Sequence, residues 1–213
     1  MSIWFHNEWH IYRNVIDKKT CDKIISLAQG RWQEPTIEDS SMGEFTKEER
    51  IIGRKSSFIQ DRKVRKSDVY WTEEQWLYDL IWPLMLGANK AAGWNLDISA
   101  AESMQLTRYK KGGLYGWHKD GSSDSLSTYD WPENSFLHNN VRKLSLSLIL
   151  NDNFEGGDFE FACYDKEKCE ITPIELKRGD MMFFTSGMEH RVTPITRGER
   201  RCLVFWTGGR PFR

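Results

Sequence analysis

A chain of 213 residues is long enough to bury one sizeable core, so a single domain spanning 1–213 with a single site is expected. Lys and Arg number 30 against 31 Asp and Glu, and the formal net charge of −1 leaves no global basic field to recruit nucleic acid or anionic lipid. Four cysteines without CxxC spacing exclude a stapled secreted scaffold; with no leader-like start and no apolar run of bilayer length, a reducing cytoplasm and no membrane partner are expected.

In chain order, WHIYRNV reads as a short strand, and Asp17 as the N-cap of a helix carrying Ile24, Ile25, Leu27 and Ala28 before Gly30 stops it. Residues 31–54 are polar, lack an apolar period and are punctuated by Pro35, Gly43 and Gly53, which predicts a mobile lid-like excursion carrying Trp32. KSSFIQD reads as a strand, and the adjoining basic cluster RKVRK as a solvated face. Thr72 and Gln75 form a capping-box pattern ahead of Trp76, Leu77, Leu80, Ile81 and Leu84 at helical spacing. Pro83 is expected to kink or interrupt that helix, which resumes to Gly93.

Beyond Asn95 the pattern becomes short β-like runs between turn residues: AESMQLTRYK, GLYGWHKD, VRKLSLSLIL, GDFEFACY, CEITPIEL, DMMFF, EHRVTPI and RRCLVFW. About eight such strands without intervening helices predict an α+β protein. Residues from about 96 to 213 form a double-stranded β-helix, or jelly roll, and residues 1–95 supply helices packed on one sheet together with the lid. A second insertion, 122–140, carries Tyr129, Trp131 and Phe136.

Chemistry concentrates in GLYGWHKDG. On a strand, His118 and Asp120 point to one face, an imidazole beside a carboxylate. His190 follows a predicted strand and turn at a distance that lets a jelly roll bring it alongside. Two His and one carboxylate leave open positions on a metal, the arrangement of non-haem iron oxygenases. His6, His10 and His138 read as ordinary surface or core histidines. Arg200, ten residues after His190, shares a strand face with Cys202, Val204 and Trp206; a buried fork there calls for a carboxylate ligand. Arg197 and Arg201 compete for that role, but the first falls in an exposed turn and the second on the opposite face.

The order of Tyr109, Tyr115, WHKD, RKLSLSLIL, FEGGDFEF, RGDMMFF, HRVTPITRGERR and FW resembles the Fe(II)/2-oxoglutarate oxygenases of the prolyl 4-hydroxylase type, including their bacterial and viral members. The resemblance covers the last half of the chain in good register and the first half loosely. It implies iron on His118, Asp120 and His190, and Arg200 on the far carboxylate of 2-oxoglutarate, where the family commonly has Lys. It also implies Tyr109 as a second co-substrate contact and Val192 and Trp206 as pocket walls. Dioxygen is the further co-substrate, and L-ascorbate the expected reductant. Tyr115, Trp117 and Trp131 are the candidate substrate contacts.

The expected activity is hydroxylation of a C–H bond, with a peptidyl proline as leading substrate and release of succinate and carbon dioxide. The same chemistry on a free amino acid, another small molecule or a nucleobase is the alternative, with near-neutral charge weighing against nucleic acid. A cupin-like metal-binding module without enzymatic activity is the third reading, and Arg200 counts against it.

Overall fold

Strict alternation decides how this chain folds, because residues two apart share one face of a strand. In the computed structural model, which describes residues 8–34, 37–38, 58–59, 64–121, 128, 138–165 and 168–212, that alternation separates two cores. The elements begin with β1 (Trp9–Tyr12), α1 (Lys18–Leu27), β2 (Ile37–Glu38), β3 (Phe58–Ile59), β4 (Arg65–Lys66), β5 (Asp68–Thr72) and α2 (Gln75–Ala91). There follow β6 (Ala100–Ala101), β7 (Met104–Tyr109), β8 (Leu114–His118), β9 (Val141–Ile149), β10 (Phe154–Gly156) and β11 (Phe159–Asp165). The last are β12 (Lys168–Ile174), β13 (Met181–Thr185), β14 (His190–Val192), β15 (Ile195–Gly198) and β16 (Arg200–Gly209).

A major sheet runs β1-β13-β9-β16-β7-β5, with β6 added to β16, and a minor sheet runs β12-β11-β14-β8-β4. Every pairing in both is antiparallel, and the two sheets form the expected jelly roll. Met104, Leu106, Leu144, Leu146, Leu148, Met181, Phe183, Leu203 and Phe205 all face the helices and form one buried layer with Ile24 of α1 and Leu77, Ile81 and Met85 of α2. The alternate residues of the same strands, among them Ile149, Met182, Phe184 and Cys202, face the minor sheet and its Phe159, Phe161 and Val192. The helices therefore brace one side of the major sheet and leave the other side to the site.

The N-cap at Asp17 forms as expected, its carboxylate accepting from the Thr20 N–H at 2.9 Å. The capping box does not form. Thr72 ends β5, the helix starts at Gln75, and the Gln75 amide instead donates to Asp79 one turn on at 2.9 Å. Pro83 neither ends nor divides α2, which runs from Gln75 to Ala91 as one element.

The basic cluster RKVRK is also corrected. Arg65 is buried at 9% exposure and belongs to β4, which pairs with β8. Trp32, placed with the lid, is held beside β5: Gln33 and Val69 exchange both backbone bonds at 2.7 and 2.8 Å, and the Arg108 guanidinium lies 4.5 Å over the Trp32 ring. Most of 35–54 and of 122–140, including Tyr129, Trp131 and Phe136, lies outside the described residues.

Ile81 is fully buried between α2 and the major sheet, so Ile81→Ala should cost about 2–5 kcal/mol. By calorimetry this should lower the thermal midpoint by roughly 10 °C. Leu86→Ala, on the exposed side of the same helix, should change stability by less than about 1 kcal/mol.

Candidate active site

The minor sheet delivers both histidines. His118 on β8 lies directly opposite His190 on β14, with ring centroids 4.2 Å apart. Each ring is oriented by its own strand: Nδ1 of His118 donates to the Gly116 carbonyl at 2.8 Å, and Nδ1 of His190 to the Met188 carbonyl at 2.9 Å. A carbonyl only accepts, so both hydrogens sit on Nδ1 and both Nε2 atoms keep a lone pair. Strand β8 stops at His118, so Asp120 does not share a strand face with it as the spacing suggested. Instead its N–H donates to the Ser186 carbonyl at 2.9 Å, and its two carboxylate oxygens lie 3.7 Å from the two Nε2 atoms.

At 3.7 Å these groups are not hydrogen-bonded to one another. They face a common point, with all ligand atoms within 4.8 Å of each other. Two imidazole lone pairs and one carboxylate, nearly closed off from water, are the donor set that suits ferrous iron with positions left open. The electrostatics agree. Burial, and then the neighbouring His190, pushes His118 down to about 3, so it is neutral at physiological pH. Burial opposes ionisation of Asp120, but the two imidazoles, Arg142 and Ser145 outweigh it and hold the carboxyl below its ordinary range.

A bulge shapes the wall beside the metal ligands. Between the pairs His190↔His118 and Val192↔Tyr115, β8 uses one residue more than β14. The extra residue brings Tyr115 and His118, an odd number apart, onto one face, where their rings stack at 3.5 Å and 16°. Trp117 turns the other way. Its ring lies 4.5 Å beneath the Arg191 guanidinium, which is bonded to Glu160 at 2.6 Å on the outer side of the minor sheet. The substrate contact expected at Trp117 is therefore not supported by its position. Val192 is buried on the inner face with His190, against which Phe159 stacks at 5.2 Å.

The major sheet brings in Arg200, 2% exposed and directly opposite Tyr109, with its guanidinium 5.7 Å from that ring. One Nη1 hydrogen goes to the Cys202 sulfur at 3.1 Å, and among the described residues no carboxylate meets the fork. Gly157, at φ +69°, lets the stem pass: a Cβ there would sit 3.0 Å from Arg200 Cδ and closer still to Ile195. The competitors are committed elsewhere, Arg197 exposed on Glu155 and Arg201 on Glu199, two residues earlier in the chain. Burial raises the Tyr109 hydroxyl above its ordinary value, so it remains a donor. Trp206 is buried at 7% exposure, with the Arg142 guanidinium 4.5 Å over its ring and Arg142 bound to Glu102 at 2.6 Å.

Sequence reasoning missed Ser145, Gln105, Arg142 and Arg65. A signal existed for Ser145: in KLSLSLIL the leucines take the helix side, which sends the serines to the face that holds the metal ligands.

Residues 104–208 match the family described as the 2OG-Fe(II) oxygenase superfamily, a span that holds His118, Asp120, His190 and Arg200. A PKHD-type hydroxylase of Xylella fastidiosa (strain M12) is 33% identical over 105 residues, 48% of this chain and 42% of that protein. One from Janthinobacterium sp. (strain Marseille) is 31% identical over 120 residues, 54% of this chain and 49% of that protein. The chain thus matches less than half the length of these curated relatives. Among solved structures, the viral collagen prolyl hydroxylase of Paramecium Bursaria Chlorella virus-1 superimposes with a TM-score of 0.64 at 18% identity, covering 98% of this chain and 99% of that one. A prolyl hydroxylase of Trichoplax adhaerens, in complex with a hypoxia inducible factor oxygen degradation domain peptide fragment, gives 0.64 at 16% identity, covering 95% and 84%.

Between about pH 6.5 and 3, unfolded metal-free protein binds a proton at His118 that the folded protein rejects, so stability should fall as pH falls through that window. From pH 7 to 5 the loss should be about 2 kcal/mol, a fall of roughly 4–8 °C in thermal midpoint by differential scanning fluorimetry. His118→Gln should flatten that dependence; an equally steep one in the variant would place the titration elsewhere. Asp120, also lowered, adds its own loss as pH drops below the ordinary carboxylate value.

Proposed function

We propose that this chain, whose residues 104–208 match the 2OG-Fe(II) oxygenase superfamily, is an Fe(II)- and 2-oxoglutarate-dependent dioxygenase that hydroxylates a C–H bond. One observation carries the reading: a buried His-Asp-His cluster and a buried guanidinium that meets no carboxylate among the described residues stand on the two sheets of one jelly roll. A metal site of purely structural use has no need of the guanidinium.

Each protein group has a defined task. His118 and His190 hold the metal through Nε2, because their Nδ1 hydrogens are already committed to backbone carbonyls. Asp120 offsets part of the ion's charge and stays ionised at neutral pH. Arg200 offers its planar fork to the far carboxylate of 2-oxoglutarate, and the Tyr109 hydroxyl donates beside it. Val192 and Trp206 wall the cavity, and the Tyr115 ring covers His118, which together keep water off the reacting centre. Bound iron, with 2-oxoglutarate and dioxygen, supplies the oxidative decarboxylation that yields succinate and carbon dioxide and puts one oxygen atom into the substrate. L-ascorbate serves as reductant for the iron.

A prolyl residue in a peptide is the leading substrate, supported by the fold shared with prolyl hydroxylases, one of them complexed with a peptide fragment. Among the described residues no helix is long and apolar enough to cross a membrane.

Purified protein with Fe(II), ascorbate and 2-oxoglutarate should release succinate slowly even without substrate, and His190→Ala should abolish this; equal release by both would end the metal assignment. Arg200→Ala should raise the 2-oxoglutarate concentration for half-maximal succinate release by ten-fold or more, the order of a lost bidentate charged pair. Iron retained after desalting should stay near wild type in that variant; an unchanged 2-oxoglutarate requirement would move the anion grip to another cation.

A further inference from the structure

Arg200 is not the only buried cation of the cavity. Arg65, 9% exposed, projects from β4 beside β8, and its guanidinium lies 4.6 Å over the ring of Tyr115, the same ring that stacks on His118. Its Nη2 donates to Gln105 Oε1 at 2.6 Å and its Nε to the Ser67 hydroxyl at 3.0 Å, and it also bonds Tyr115. Gln105 accepts a second bond from Thr107 at 3.1 Å, so its oxygen is fixed in place. Every partner of Arg65 is neutral, and among the described residues no carboxylate faces it. The other charges on this wall are spoken for: Arg142 is bound to Glu102, and Asp120 faces the two imidazoles. A buried guanidinium without an anion is costly, and the cost disappears when a ligand brings one.

Arg65 and Arg200 come from different sheets, Arg65 from β4 beside the Tyr115 and His118 rings and Arg200 from β16 opposite Tyr109, and the charges of both act on the Tyr109 hydroxyl. Gln105, which holds Arg65, sits four residues from Tyr109 on β7. Gln105 pairs across the sheet with Val204, two residues from Trp206. An unsatisfied donor lies there. Trp206 Nε1–H is buried and has no hydrogen-bond partner among the described residues, and the adjacent strand position, Ser145, contacts Asp120. A buried donor left unmade is unfavourable by itself, and with a buried guanidinium that meets no acid it calls for an acceptor from outside the protein.

Resting on the oxygenase reading, we propose that Arg65 is the substrate anchor of this enzyme and that the substrate presents a carboxylate to it, with Trp206 Nε1 as a second donor. A carboxylate fits better than a phosphate, because Ser67, Gln105 and Tyr115 already occupy much of the guanidinium, leaving donors for one planar acceptor pair. The carboxylate has two possible sources: the main-chain carboxylate of a free amino acid or peptide C-terminus, or an acidic side chain near the hydroxylated residue.

The test uses matched pairs with Fe(II), 2-oxoglutarate and ascorbate, read by mass spectrometry for a gain of one oxygen. One arm sets the common amino acids and proline-terminated peptides against their amides. The other sets internal-proline peptides flanked by Asp or Glu against the same peptides with Asn or Gln. In one arm the acid member should show at least ten-fold higher kcat/KM, and that arm identifies the source. Arg65→Gln should collapse the ratio chiefly through KM, Arg65→Lys should restore part of it, and Trp206→Phe should raise KM for the same acid. Equal turnover of acids and amides by the wild type, or oxidation of no acid member, overturns the proposal without needing a folded variant. Absence of substrate-free succinate release from wild-type protein would instead bring down the oxygenase reading beneath it.

Discussion

Each histidine of the cluster gives its Nδ1 hydrogen to a carbonyl two residues earlier in the chain, and the rest of the site is arranged around that pair of bonds. They fix the tautomer, aim both Nε2 lone pairs at one point and tie ring orientation to the backbone rather than to a neighbouring side chain that a substrate could displace. The direct pairing of His118 with His190 then makes the distance between the two ligands a property of strand register. Because burial holds His118 neutral and the imidazoles help keep Asp120 ionised, the cluster needs no proton movement to be ready for a cation.

The same inter-sheet space is organised by charge as well as by packing. Most surface arginines have acidic partners, as with Arg13 on Asp180, Arg108 on Asp68 and Arg191 on Glu160. Arg65 and Arg200, both buried, have none among the described residues. A fold tolerates such groups where a ligand completes them; Arg65 stands on β4 of the minor sheet and Arg200 on β16 of the major sheet, and on the proposed readings each takes an acid. Between them lie Tyr115, His118 and Tyr109, the aromatic and imidazole rings that exclude water from the centre.

Much of this was legible in the residues. The eight β-like runs after Asn95 each contain a strand, and the alternation of RKLSLSLIL and RRCLVFW assigned the correct face to Arg200 and, read further, would have done so for Ser145. Non-local effects were not legible. The bulge in β8 depends on what β14 does seventy residues later, so period-two reasoning could not place Trp117 outward and Tyr115 inward. Arg65 read as solvated because a run of basic residues carries no mark of the strand that covers it. Likewise, Thr72 and Gln75 have the letters of a capping box, but Thr72 was already drawn into the sheet by pairing with Met104. Pro83 failed to break α2 because tertiary packing of Leu77, Ile81 and Met85 on the major sheet holds both halves of the helix in line.

Gly156 and Gly157 both adopt φ +69°, and the second lies against the Arg200 stem. Where the guanidinium sits is thus gauged by the bend between β10 and β11, which passes the chain from one sheet to another. Bulk at Gly157 would press on the Arg200 stem and Ile195 and shift the arginine. On the proposed function, selection among keto-acids of different chain length thus rests in part on Gly157, a residue that has no functional group at all.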